Sequence, residues 1–179
     1  MTSHRYDAIL ALLAERWPAC GSTTVVAVDG PSGAGKTSYV DGLAAATGGD
    51  VLHLEDVYPG WDGLAGTPPI IAGVLDAVAV GETGTAHRWD WDAGLPGPVL
   101  RVRPAPLLIL DGVGSGARVI RPHLSVLIWL DAPPDVRKHR ALTRDGGTYA
   151  PFWDMWAEQE DRHFAAEDTR RHADLVIRT

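Results

Sequence analysis

The run Gly30-Pro31-Ser32-Gly33-Ala34-Gly35-Lys36-Thr37 fills every fixed position of the pattern G-x-x-x-x-G-K-[ST]. Ahead of it lies the apolar, β-branched stretch Thr23-Thr24-Val25-Val26-Ala27-Val28, and behind it the helix-compatible Ser38-Tyr39-Val40-Asp41-Gly42-Leu43-Ala44-Ala45-Ala46. Strand, loop and helix in that order are the context the pattern requires. Glycines let such a loop turn its backbone N–H groups inward, and the helix that starts near Lys36 adds the positive end of its dipole. A polyanion belongs there. Lys36 is placed to reach the β- and γ-phosphates of a nucleotide, and the Thr37 hydroxyl to ligate Mg²⁺. The bland alternative is a glycine-rich turn that matches by accident. The chain has only two lysines, Lys36 and Lys138, which weighs against it.

The remaining segments alternate strand with helix. Residues 3–16 read as an amphipathic helix capped by Ser3, with Ile9, Leu10, Leu12 and Leu13 on one face. A second strand, Val51-Leu52-His53-Leu54, runs into Glu55-Asp56-Val57-Tyr58-Pro59-Gly60-Trp61. Ligands of open parallel sheets bind beyond the carboxyl ends of the strands, so Glu55 and Asp56 arrive beside Lys36. One of them could take a proton from a substrate hydroxyl or hold Mg²⁺, while the other caps the turn. A helix over 69–80 buries Ile70, Ile71, Val74, Leu75 and Val78. In His87-Arg88-Trp89-Asp90-Trp91-Asp92, alternation puts Trp89 and Trp91 on one face and Asp90 and Asp92 on the other, followed by a Gly/Pro-rich turn over 94–98. Two flat apolar faces beside carboxylates suit a planar, hydroxylated ligand, or the pair simply packs under a loop.

Leu107-Leu108-Ile109-Leu110 is a short buried strand closed by Asp111, an apolar run ending in an acid that could bind Mg²⁺ directly or through water. Val126-Leu127-Ile128-Trp129-Leu130 is the fourth strand. The helix after it carries Arg137, Arg140 and Arg144 at spacings of three and four, hence on one face. Gly146-Gly147 then reads as a joint before a second helix over 151–166 that is rich in Trp153, Trp156, Glu158, Glu160 and Asp161. Helix, joint and helix with an arginine stripe form a lid over about 137–160 that brings positive charge to a phosphoryl group; otherwise the stripe is a solvated face paired with Asp135 and Asp145. Ala173-Asp174-Leu175-Val176-Ile177 is the fifth strand. The alternation makes one α/β/α sandwich over 1–179 with a five-stranded parallel sheet.

Composition narrows the partners. A formal net charge of −7 argues against broad binding to nucleic acid, which needs a basic surface. No stretch approaches the roughly 20 apolar residues of a membrane helix. A single cysteine, Cys20, excludes an internal disulfide and fits the reducing cytoplasm.

Together these motifs resemble the uridine kinase family of small phosphate-loop kinases, over most of the chain from Val25 to Ile177. Glu55-Asp56-Val57-Tyr58 resembles its second-strand acidic element, Asp111-Gly112-Val113 its E-G-I element, residues 137–145 its arginine helix, and 173–177 its terminal strand. The resemblance implies the sheet order 2-3-1-4-5, with ATP and Mg²⁺ as cofactors. It implies nucleotide contacts from Gly30 through Ser38 with Arg137 and Arg140, and Mg²⁺ held by Thr37, Asp111 and Glu55. It places the general base at Glu55 with Asp56 next to it, Arg140 and Arg144 on the transferring phosphoryl group, and an acceptor nucleoside against Tyr58, Trp61 and Trp89-Asp90-Trp91. Glutamate at 55, aspartate at 111 and tryptophans for the family's other aromatics are departures that leave the acceptor open. The loop also resembles that of cytidylate kinases, a monophosphate-kinase reading in which Arg88, Arg101 and Arg103 would hold an acceptor phosphate. A nucleotide-dependent switch is the reading from another class. Its guanine-specific form is set aside because N-K-x-D needs asparagine and the chain has none.

Overall fold

The computed structural model describes residues 5–179, with the side chains of 145, 146 and 148 outside the description. Strands and helices alternate as β1 (Thr24–Asp29), β2 (Asp50–His53), β3 (Gly84–Asp90), β4 (Leu95–Val102), β5 (Leu107–Asp111), β6 (Val126–Asp131) and β7 (Leu175–Arg178), among α1 (Asp7–Glu15), α2 (Lys36–Thr47), α3 (Thr67–Ala79), α4 (Pro134–Tyr149) and α5 (Trp153–Glu167). The main sheet is wholly parallel with the order β2-β5-β1-β6-β7. Numbering its five strands alone, this is the expected 2-3-1-4-5. β3 and β4 form a separate antiparallel ribbon that the sequence reading missed.

β1 is the centre of the sheet, flanked by β5 and β6, and its side chains alternate between two cores. Val25 and Ala27 face a layer with Leu108, Leu110, the α3 residues Ile71, Val74 and Leu75, and Trp153 and Trp156 of α5. Val26 and Val28 face the other layer, with Ile109, Ile128, Tyr39 and Leu43 of α2, and Ile9 of α1. Alternating burial on both faces is what a parallel strand covered by helices requires, and it gives the three-layer α/β/α arrangement. The carboxyl ends of β1, β2, β5 and β6 all reach the same edge, ending in Asp29, His53, Asp111 and Asp131.

Four local expectations need correction. α3 begins two residues earlier than read, at Thr67; its buried stripe is Thr67, Ile71, Val74, Leu75 and Val78, and Ile70 is left exposed. On α1, Ile9 is buried but Leu10 is exposed, and the expected cap Ser3 lies outside the described residues. The Gly146-Gly147 pair lies within α4, which runs on to Tyr149. The break comes instead in a single 3₁₀ turn, Ala150–Phe152, where Pro151 lacks an N–H and disfavours helical geometry in the residue before it. Finally, the Gly/Pro-rich segment is not a loop: Pro96, Gly97 and Pro98 lie in β4.

Candidate active site

Asp29 ends β1 and is wholly buried. Its Oδ1 accepts the amides of Gly30 at 2.7 Å and Gly114 at 3.1 Å, and its Oδ2 that of Gly116 at 2.8 Å. One carboxylate thus pins the start of the phosphate loop to the segment after β5. Burial pushes this carboxyl above its ordinary range, against the pull of those amides. The loop then runs so close to its neighbours that side chains are excluded. A Cβ on Gly30, at φ 138°, would sit 2.0 Å from the Leu130 carbonyl oxygen, and one on Gly33, at φ 79°, 2.1 Å from that of Arg137.

Beyond Gly35 the chain enters α2 with no side chain capping its first turn, so the N–H groups of that turn are available to a ligand. Lys36 Nζ donates to the carbonyls of Gly30 at 2.7 Å and Pro31 at 3.0 Å, which holds the ammonium inside the curl of the loop. Burial lowers its pKa, while Glu160, Asp111 and Asp29 oppose the shift. An anion arriving here meets a cation already held in place by the loop.

Around the loop opens a cavity of about 780 Å³ lined by Gly33, Lys36, Thr37, Ser38, Glu55 and Asp111, among others. Asp111 is almost fully buried at the end of β5; its Oδ2 meets His53 Nδ1 at 2.9 Å, and its Oδ1 is buried with no hydrogen-bond partner. That contact is the main cause of the raised His53 pKa. A buried carboxylate oxygen left unsatisfied, in a cavity shared with the Thr37 hydroxyl, is a donor set that fits a hard cation such as Mg²⁺. Among the described residues, no three His, Cys, Asp or Glu side chains form a self-sufficient metal cluster. Phosphate-bound Mg²⁺ needs none, because phosphate and water supply most of its ligands.

The adjacent acids separate. Both lie in the 3₁₀ turn Leu54–Asp56 after β2 and both line the cavity, but Asp56 forms an ion pair with Arg88 of β3, whereas Glu55 is exposed there. Tyr58 also lines the cavity, though its hydroxyl is committed to the Val113 carbonyl at 2.9 Å, and burial raises its pKa well above 10.0. Only its ring is available to a ligand.

An aromatic wall faces the loop. Trp61 stacks on Phe152 at 4.6 Å and on Tyr149 at 5.3 Å, tilts against Trp91 at 4.9 Å, and meets Trp156 edge-on at 6.4 Å. Of the Trp89-Asp90-Trp91 trio only Trp91 lines the cavity, held there by its indole N–H on the Glu55 carbonyl at 3.3 Å. β3 ends at Asp90, so the expected alternation stops before Trp91. Asp90 Oδ1 accepts the amides of Asp92 and Ala93 and so shapes the turn, while Trp89 lies against Gly60. Asp92 is the acid of this stretch that reaches the cavity.

The arginine stripe of α4 divides similarly. Arg140 and Arg144 line the cavity. Arg137 instead spans the Ala132 carbonyl at 3.1 Å and the Ser32 carbonyl at 3.3 Å, bracing the loop from outside. Arg140 Nη1 donates to Thr179 Oγ1, which in turn donates to the Ala34 carbonyl. Gly30, Pro31 and Ala34 form the frame of the loop rather than its lining. Sequence reasoning gave no special role to Asp29, His53, Tyr149 or Glu160. Glu160 reaches from α5 to the amide of Ser32, and burial raises its pKa. Its spacing of four from Trp156 put both on one helix face, but nothing in the sequence marked that acid as buried.

A glycine loop opening a helix at the carboxyl edge of a 2-3-1-4-5 parallel sheet is the phosphate-loop α/β fold. No protein-family model and no curated protein matches the sequence. Among solved structures, the chain is similar to a possible uridine kinase from Bacillus stearothermophilus, with a TM-score of 0.63 and 18% identity over 87% of this chain and 88% of that one. It is equally similar, at 0.63 and 18% over 99% and 98%, to a protein provisionally named as a fructose transport system kinase from Silicibacter sp. TM1040. The chain therefore shares its fold with these two structures.

Proposed function

We propose that the protein is an ATP-dependent small-molecule kinase that transfers the γ-phosphoryl group to a hydroxyl of a nucleoside or related sugar-bearing metabolite. The observation that carries this reading is one cavity shared by Lys36, Thr37, the partnerless oxygen of Asp111, Glu55 and the two α4 arginines. Both structural neighbours with a TM-score of 0.63 bear kinase names, one for a nucleoside and one for a sugar.

In this scheme the loop amides and Lys36 receive the β- and γ-phosphates, and Arg140 and Arg144 face the charge that develops on the transferred group. Thr37 and Asp111 would hold Mg²⁺, which when bound neutralises phosphate charge. Glu55 accepts the acceptor's hydroxyl proton, because Asp56 is committed to Arg88. The acceptor oxygen forms its bond to the γ-phosphorus as the bond to the bridging oxygen breaks, leaving ADP and a phosphate ester. Trp61 and Trp91 supply flat apolar surface for the acceptor, and Asp92 a hydrogen-bond acceptor for its hydroxyls.

A monophosphate acceptor finds less support. Arg88 is engaged by Asp56, and neither Arg101 nor Arg103 lines the cavity. The decisive experiment is a screen of ATP consumption over nucleosides, their monophosphates, and free sugars, with Lys36→Ala as control. ATP loss that depends on a hydroxyl acceptor and vanishes in Lys36→Ala is expected. Equal ATP loss without any acceptor would identify a slow hydrolytic switch instead.

A further inference from the structure

Ser32 is the third residue of the phosphate loop, and the two helices after β6 engage every polar atom it has. Its amide donates to Glu160 Oε1 at 2.9 Å, and its hydroxyl donates to the same oxygen. Its carbonyl accepts Arg137 Nη1 at 3.3 Å, and its Oγ accepts the Trp156 indole N–H at 3.1 Å. That N–H is shared with Glu160 Oε1 at 2.8 Å. Glu160 is only 2% exposed, so its carboxylate is not a solvated surface group. A carboxylate removed from water persists where donors are aimed at it, and here two come from the loop and one from α5.

The far side of the same indole belongs to the acceptor end of the cavity. The Trp156 ring packs edge-on against Tyr58 at 4.9 Å and against Trp61 at 6.4 Å. A continuous path of three side chains therefore runs from the phosphate loop to the aromatic wall: Ser32, Glu160, Trp156. Glu160 is also among the charges acting on Lys36. A triphosphate placed on that lysine brings negative charge toward a carboxylate already held in a dry site, where such repulsion is weakly screened. The hydrogen bonds that bind Glu160 to Ser32 and Trp156 must then readjust.

We propose that Glu160 is a positioning residue that couples the nucleotide loop to the acceptor wall through Ser32 and Trp156, so that nucleotide in the cradle resets the surface on which the acceptor lies. This rests on the kinase reading above. The test uses the full chain labelled with ¹⁵N at its seven tryptophan indoles, with the Trp156 signal assigned by its loss in Trp156→Phe. Mg·ATP is titrated without acceptor while calorimetry follows binding independently. The Trp156 signal is expected to shift in step with ATP occupancy in the parent chain and to shift less in Glu160→Ala, where only the Ser32 Oγ bond still joins the indole to the loop. In steady state with an accepted hydroxyl compound, Glu160→Ala is expected to raise the acceptor KM about tenfold, the scale of one charge-assisted hydrogen bond, with Glu160→Gln recovering most of that loss. Should Glu160→Ala not fold, Glu160→Gln breaks the charge link of the path while keeping its hydrogen bonds, and carries the signal comparison. ATP binding with an unmoved Trp156 signal in the parent, or with an equal shift in the broken-path variant, overturns the coupling and leaves the kinase reading standing. No ATP binding to the parent chain overturns both.

Discussion

Replacing Asp29 tests whether the loop is held in shape from beneath, independently of any ligand. In Asp29→Asn, one side-chain oxygen can still serve Gly30 and Gly114, but the new NH₂ is turned toward the Gly116 amide, donor against donor. A buried N–H without an acceptor costs about 1–3 kcal/mol, and for a chain of this length each kcal/mol moves Tm by about 2–4 °C. The expected fall is thus about 2–12 °C. Asp29→Ala strands three amides and should fall further, even though it also removes a carboxylate whose burial is itself costly. Scanning calorimetry of the three proteins at neutral pH, with and without Mg·ATP, measures both quantities of interest. The ATP-induced rise in Tm should shrink alongside the loss of stability, because Gly30 opens the loop. Should Asp29→Asn melt within about one degree of the parent, or Asp29→Ala prove the more stable variant, the clamp is not what holds the loop.

Three further outcomes are expected. Glu55→Gln should lower kcat by about 10²- to 10⁴-fold with ATP affinity retained, as loss of a general base does, whereas Asp56→Asn removes only a partly exposed ion pair and should change kcat far less; equal losses in a kinetic comparison would refute the division of roles. Trp91→Ala should raise the acceptor KM well above any change in the ATP KM, and Trp89→Ala should not, since only Trp91 lines the cavity; steady-state kinetics on both variants decides. The third concerns pH. Burial raises the Glu160 carboxyl above 4.5, so the folded chain binds that proton more tightly than the unfolded one. That contribution to stability is whole below the unfolded pKa and is lost as pH rises through the folded one. Glutamine does not titrate, so the Tm of Glu160→Gln should gain on the parent as pH rises above 4.5. A gap independent of pH would contradict it.

The sheet and the phosphate loop were legible because their signals are local. β-branched apolar runs ended at turn residues, and Gly30 to Thr37 carried a complete pattern. The β3–β4 ribbon escaped because Pro96 and Pro98 read as a turn. Both strands of a two-stranded ribbon are edges, where proline's missing N–H costs no central ladder bond. Gly146-Gly147 misled in the opposite sense, since an otherwise helical segment carries two glycines at about 1 kcal/mol each and continues. The role of Glu160 could not be read from its neighbours. Its loop partner is Ser32, 128 positions away, and only tertiary packing places the two together.

The ribbon that carries Trp91 and Asp92 shares no strand pairing with the sheet that carries Lys36 and Asp111. Its tip, between Asp90 and Leu95, is exposed, and lengthening such a turn is thermodynamically cheap. On the kinase reading proposed above, changes there would alter the acceptor contacts without disturbing the phosphate loop. A kinase built on this plan would change its acceptor by editing a few residues of one hairpin, with the glycine-rich loop and its buried clamp left intact.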